Sequence, residues 1–159
     1  MNVSGFEEAL EHSLQVKLKG NSKKTIPFAS PAGLALLKII AWDDRTIILR
    51  NKDAKDLSYI MRNYLDAGNN ERLYDDENDL IEENFDYELA GARLLGRDVA
   101  RICGPRVKSI ILPILESQTG KQKIYPLAEE MMNSRTLDSH AFEKNLKLLE
   151  TFKQGVKDI

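Results

Sequence analysis

The most uniformly apolar stretch of the chain lies between Ala32 and Trp42. Every residue in it is apolar or glycine except Lys38. A helix that is apolar on nearly all sides belongs inside a core, and this stretch is much shorter than the ~20 residues that a membrane span requires. Ser30 and Pro31 suit the N-cap and the first position of such a helix. The pattern therefore predicts a buried helix with one ammonium group, which must extend to solvent or meet a carboxylate.

A second helix is predicted shortly afterwards, and it carries suitable carboxylates. Thr46–Leu49 reads as a brief β-branched link, and Asn51 as the N-cap of this helix. Its apolar positions recur at helical spacing and form one stripe: Ala54, Leu57, Ile60, Met61, Tyr64 and Leu65. At about 100° per residue, Asp53 and Asp56 lie on the same flank of that stripe. We therefore expect both carboxylates to face Lys38.

The front of the chain predicts a small β element behind a short helix. Residues 4–12 have helical spacing, whereas residues 14–19 alternate between apolar and polar as a half-buried strand does. Gly20-Asn21-Ser22 is typical of a turn, and residues 25–29 form a second extended run. Two such strands are not stable alone. We interpret them as the edge of a larger sheet, most of which is missing from this chain.

The remainder of the chain predicts further helices. These are expected around residues 71–83, from residue 86 onward, from Gly104-Pro105, around 125–133 and around 139–154. The predicted fold class is α+β and predominantly α-helical, with a small N-terminal β element packed on a multi-helix bundle. We expect a single domain over residues 1–159, with a partial sheet edge and leading helix in 1–30 and the bundle in 31–159.

Composition narrows the possible functions. The 159 residues are 42% hydrophobic and 30% charged, with a net charge of −2, so no overall field attracts DNA or an anionic membrane. The single cysteine, Cys103, excludes an internal disulfide, and His12 and His140 do not form a metal-ligand pair by spacing. The N-terminus lacks the pattern of a signal peptide, so a cytoplasmic location is predicted.

Lys38 with Asp53 and Asp56 is the sharpest candidate for chemistry. In a functional interpretation Lys38 contacts a phosphate and the aspartates orient it. In the simpler interpretation, which we favour from residue types alone, the three form a structural ion pair near a helix start. Arg45, Arg50 and Lys52 surround the same junction and could hold phosphates, but solvated loop charges are the favoured interpretation.

A second basic stripe is formed by Arg93, Arg97 and Arg101 at helical spacing. Residues 75–88 contain eight acidic residues and no basic one, so internal pairing is the favoured interpretation. Aromatic residues do not interleave with either basic group, and no stacking platform is predicted.

The run from Leu37 to Arg45, followed by Arg50-Asn-Lys52-Asp53-Ala-Lys-Asp56-Leu57, resembles the AbiEii/AbiGii-type nucleotidyltransferases of the DNA polymerase β superfamily. In that family a helical lysine and a [K/R]-D-x-x-D-L helix start follow the catalytic half. The resemblance extends over roughly residues 1–103. It implies a bacterial protein in which Lys38, Asp53 and Asp56 are active-site residues of the second half, with a nucleoside triphosphate or an RNA acceptor as partner.

The chain departs from that family in lacking the glycine-serine turn and the paired Asp-x-Asp carboxylates that bind the catalytic metals. Nucleotidyl transfer depends on those metals. We therefore expect no cofactor in this chain, with Mg²⁺ and nucleotide bound only where the catalytic half is present, and no transfer by the chain alone. The alternative is a non-catalytic helical interaction module, antitoxin-like or scaffold, which could form a homodimer through an exposed sheet edge.

Overall fold

The computed structural model describes residues 3–17, 19, 24–81, 85–120, 124–132 and 139–159. The predicted turn at Gly20–Ser22 and the acidic Glu82 and Glu83 lie outside these residues. Within them the fold is α+β and predominantly helical, as predicted. The α-helices are α1 (Phe6–Glu11), α2 (Pro31–Asp44), α3 (Ile47–Arg62), α4 (Tyr87–Ile102), α5 (Pro105–Ser117), α6 (Pro126–Glu130) and α7 (Ser139–Asp158).

The two strands, β1 (Leu14–Lys17) and β2 (Thr25–Phe28), form an antiparallel hairpin. Leu14 pairs with Phe28 and Val16 with Ile26, so four apolar side chains share one face. Every residue of both strands is exposed. The hairpin therefore lies on the surface of the described molecule with its apolar face open.

Helix α2 forms as its pattern predicts. The Ser30 hydroxyl accepts a hydrogen bond from the Gly33 amide, Pro31 occupies the first turn, and the helix is buried along most of its length. It packs on α3, α4 and α5, and its buried side chains belong to one continuous core. The largest fully buried members of that core include Leu36, Ile39, Leu57, Met61, Leu94, Leu95, Ile111, Leu115 and Phe152.

The start of α3 differs from the sequence prediction. Residues 47–49 are not an extended link, because α3 begins at Ile47 after a connection of only Arg45 and Thr46. Asn51 lies inside α3 and is not its cap. The side chain of Arg50 bonds to Glu130 of α6. This tertiary contact stabilises the first turns of α3, although the β-branched residues before Arg50 favour an extended link.

The segment after α3 also differs from the prediction. It forms a π-helical turn at Leu65–Asn69 and short 3₁₀ turns at Glu71–Tyr74 and Asn78–Leu80, in place of a helix around 71–83. Leu73 and Leu80 are buried, and Glu77 bonds to arginines of α4. These anchors hold the segment against α4 and prevent a continuous helix.

Helices α4 and α7 form the closest contact in the core. A Cβ atom added to Gly155 would lie 2.0 Å from the carbonyl oxygen of Arg93, and one added to Gly96 would lie 2.2 Å from that of Phe152. The two backbones can approach this closely only because both residues are glycine. None of the helices formed by the described residues combines the length and apolar character needed to cross a bilayer.

Candidate functional site

The predicted cluster of Lys38, Asp53 and Asp56 assembles between α2 and α3. Lys38 Nζ donates to Asp53 Oδ1 at 2.9 Å and to Asp56 Oδ2 at 2.6 Å. Arg45 Nη1 donates to the other oxygen of Asp53 at 2.6 Å. We call these four residues the Lys38 cluster. The expectation that both aspartates face Lys38 is confirmed.

The local fold explains this meeting. Because the connection between α2 and α3 is two residues long, the helices run antiparallel, and Lys38 and Asp53 lie at similar distances from the turn. The Asp53 side chain is only 1% exposed, whereas that of Asp56 is 40% exposed. The cluster thus has a buried acidic end and an open acidic end.

The charges of the cluster are balanced. Burial alone would lower the pKa of Lys38, but the hydrogen bonds to Asp56 and Asp53 raise it above its ordinary value. Lys38 therefore remains an ammonium group at neutral pH. An ammonium has three N–H donors, and the two aspartates account for two of them.

A cavity of about 160 Å³ adjoins the cluster. Two cations and two carboxylates line it, together with Ser4 and apolar side chains such as Phe6: Lys38, Arg45, Asp44 and Asp53. Its size suits a small group such as a phosphate more closely than a whole nucleotide.

Lys52, the remaining candidate, is not part of this cluster. Its side chain is exposed, and the structure gives it no hydrogen bond or ion pair within the described residues. Arg50 at the same junction pairs with Glu130 at 2.8 Å, and its guanidinium lies 4.8 Å from the centre of the Trp42 ring. Arg50 is therefore a structural link between α3 and α6.

The second basic stripe is paired internally, as predicted. Arg97 contacts Glu77 at 2.6 Å and Asp79 at 2.5 Å, and Arg101 contacts Glu77 at 2.7 Å. Arg93 extends this network to α7 through Asp158, at 3.0 Å. These arginines connect α4 to the 77–79 segment and to α7.

The sequence reading missed a neighbouring network centred on Asp98. Arg72 donates two hydrogen bonds to Asp98, of 2.7 and 2.8 Å. Tyr64 and Arg101 also donate to this carboxylate. Burial and the bond to Asp98 raise the pKa of Tyr64 above its usual range. The signal for this network was weak, because its members are spread over three separate segments.

A larger opening between α3 and α7 was also missed. This α3–α7 cleft has a volume of about 720 Å³. It is lined by Lys55, Asp56, Ser58, Tyr59, Arg62, Met131, Met132, His140, Ala141, Lys144 and Asn145. Asp56 lines the cleft and bonds Lys38, so the cleft and the Lys38 cluster are neighbours along α3.

No protein-family model, curated protein or solved structure matches this chain. Within the described residues, no group of three or more His, Cys, Asp or Glu side chains is arranged to hold a metal ion.

Proposed function

We propose that this chain is the helical, nucleotide-side part of a nucleotidyltransferase-like protein, in which Lys38 contacts a phosphate of the nucleotide. The observation that carries the proposal is the convergence of Lys38 with Asp53 and Asp56, the residues on which the family resemblance rests. The metal-binding carboxylates would come from outside the described residues. The chain alone is thus expected to bind but not to transfer a nucleotide.

The exposure of the cluster suits a binding role. The bond between Lys38 and the open Asp56 can yield to a phosphate oxygen, while the buried Asp53 keeps the ammonium in position. Arg45 is 45% exposed and lines the same cavity, so it can contribute a second cation to the phosphate.

The test is the thermal stability of the pure chain with and without each nucleoside triphosphate. We expect a rise in melting temperature that is reduced in Lys38→Ala and kept in full in Arg93→Ala, because a ligand bound to the folded state stabilises it. The Arg93 variant is a suitable control, since it removes an arginine that pairs with Asp158 away from the cluster. An equal rise in Lys38→Ala would contradict the proposal.

A second candidate function is self-association through the hairpin. Its open apolar face is formed by Leu14, Val16, Ile26 and Phe28, each at least 41% exposed. Acidic Glu7, Glu8 and Glu11 lie on α1, while basic Lys17, Lys19 and Lys24 flank the hairpin. In a two-fold arrangement, the apolar faces of two hairpins pack against each other with the hairpins pointing in opposite directions. The acidic end of one copy then lies beside the basic end of the other.

Sedimentation over a range of protein concentrations tests this second candidate. We expect a concentration-dependent dimer that is lost in Val16→Asp, because a charge on the apolar face opposes its burial. Gln15→Asp, on the opposite face of β1, is the matched control. A monomer at all concentrations would overturn the dimer.

A further inference from the structure

The α3–α7 cleft carries an excess of positive charge on a protein of negative net charge. Arg62 and Lys144 share one carboxylate, that of Glu88, so their two cations are only half neutralised. Asp56 is engaged by Lys38, and Lys55 has no ion-pair partner in the part of the chain that the structure describes. An anionic ligand would therefore meet two uncompensated positive charges here.

An exposed aromatic ring adjoins these cations. The Tyr59 residue is 69% exposed and lines the cleft beside Lys55. Lys52, Lys55 and Tyr59 are spaced i, i+3 and i+7, which places them within about 60° on one face of α3. An aromatic residue and two lysines thus share one face of α3, and Lys144 of α7 lines the same cleft as Lys55 and Tyr59.

Hydrogen bonds between helices hold the wall of the cleft in place. Arg62 donates to Asn145 at 2.7 Å, and Asn145, which is 3% exposed, donates to the Ala128 carbonyl at 3.1 Å. These bonds fix α3, α6 and α7 around the opening. Its volume of about 720 Å³ lies in the range of small-molecule sites, about 300–1,000 Å³.

We propose that the α3–α7 cleft binds a nucleoside phosphate, whose base stacks on Tyr59 and whose phosphate is held by Lys55 and Lys144. Base–aromatic stacking with cations along the backbone is the usual combination in sequence-tolerant nucleic-acid binding. The ligand chemistry is common to a free nucleotide and to the end of an RNA strand. This inference goes beyond the proposed function, because it uses different side chains from those that would contact phosphate at the Lys38 cluster.

Equilibrium binding to the pure chain tests this site with three probes: AMP, a fluorescent single-stranded RNA hexamer and inorganic phosphate. We expect Lys55→Glu combined with Lys144→Glu to weaken nucleotide or RNA binding at least tenfold. Tyr59→Ala should weaken it about tenfold by loss of stacking, whereas Tyr59→Phe should retain it. The matched control is Arg106→Glu with Lys157→Glu, which makes the same charge change at exposed positions that do not line the cleft.

The probes also identify the source of the ligand. Saturable AMP binding with no RNA binding assigns a free nucleotide, and RNA binding that AMP displaces assigns a strand end. The proposal is overturned if neither AMP nor RNA binds, if the control variant weakens binding as much, or if Tyr59→Ala has no effect. The Lys55, Lys144 and Tyr59 variants leave the side chains of the Lys38 cluster in place, so their outcome is separate from that of the proposed function.

Discussion

Asp53 is the residue on which the contacts between α2 and α3 converge. Its carboxylate is almost completely buried, and Lys38 and Arg45 each donate to one of its oxygens. Asp56 makes a similar contact to Lys38 at the open end of the cluster. The two aspartates therefore share one cation and differ in burial and in the additional bond from Arg45 to Asp53.

Asp53→Asn should reduce the free energy of unfolding by about 3 kcal/mol, because it leaves two cations without their shared buried partner. Asp56→Asn should cost less than about 1 kcal/mol, since an exposed ion pair contributes little. Urea unfolding of both variants at neutral pH measures the difference. Equal losses would show that burial of Asp53 is not what gives the cluster its strength.

Cys103 should be a slow nucleophile in the folded protein. Burial raises the pKa of its thiol to about 11, and the negative charge of Glu8 acts in the same direction. Because the thiolate is the reactive form, alkylation at about pH 8 should be on the order of 100-fold slower than in the urea-unfolded chain. The rate should continue to rise about tenfold per pH unit above pH 9. A plateau near pH 9 in the folded protein would contradict this.

At the scale of elements, the contact between α4 and α7 depends on two glycines. Gly155→Ala places a methyl group against the Arg93 carbonyl, and the helices must separate to admit it. We expect a loss of about 3 kcal/mol or more in the free energy of unfolding, measured in urea. Gly104→Ala is the control, because the nearest atom to its added Cβ is the Glu8 carboxylate at 3.9 Å. It should cost at most about 1 kcal/mol.

The sequence predicts elements well where one strong local pattern determines them. Helix α2 and the facing of Asp53 and Asp56 towards Lys38 follow from periodicity and helix geometry. Residues 47–49 and 71–81 differ from the prediction because distant partners stabilise the local conformation. Glu130 holds the adjacent Arg50 in the first case, and the α4 arginines hold Glu77 in the second. The α3–α7 cleft was missed for the same reason, since Lys55 and Lys144 are 89 positions apart.

At the scale of the whole molecule, carboxylate–arginine contacts tie the 72–79 segment and α7 to α4. Burial alone would raise the pKa of Asp98, but hydrogen bonds from Arg72, Tyr64 and Arg101 lower it below its usual range. The pKa of Asp158 is lowered in the same way by Arg93 and Arg97, again against burial. Protonation of these two aspartates therefore affects the stability of the bundle.

Acid should therefore unfold the protein through these contacts. A carboxyl group whose folded pKa is lowered stabilises the fold above its unfolded pKa of about 3.9, and this contribution is lost as pH falls through the folded value. The free energy of unfolding should fall as pH is lowered below about 4. In Asp98→Asn it should be lower by about 2 kcal/mol at neutral pH and fall less steeply in acid. Parallel pH profiles would contradict the assignment.

The contact between α4 and α7 also has a consequence for folding during synthesis, because α7 follows α2 and α4 in the sequence. The core surfaces of α2 and α4 are synthesised well before Phe152 and Gly155, the α7 residues that close against α4. At about 5–20 residues per second, several seconds separate the synthesis of α2 from that of α7. During that interval the nascent chain presents an apolar surface without its cover. Chaperones that bind exposed apolar segments should therefore engage this chain during translation and release it once α7 has docked.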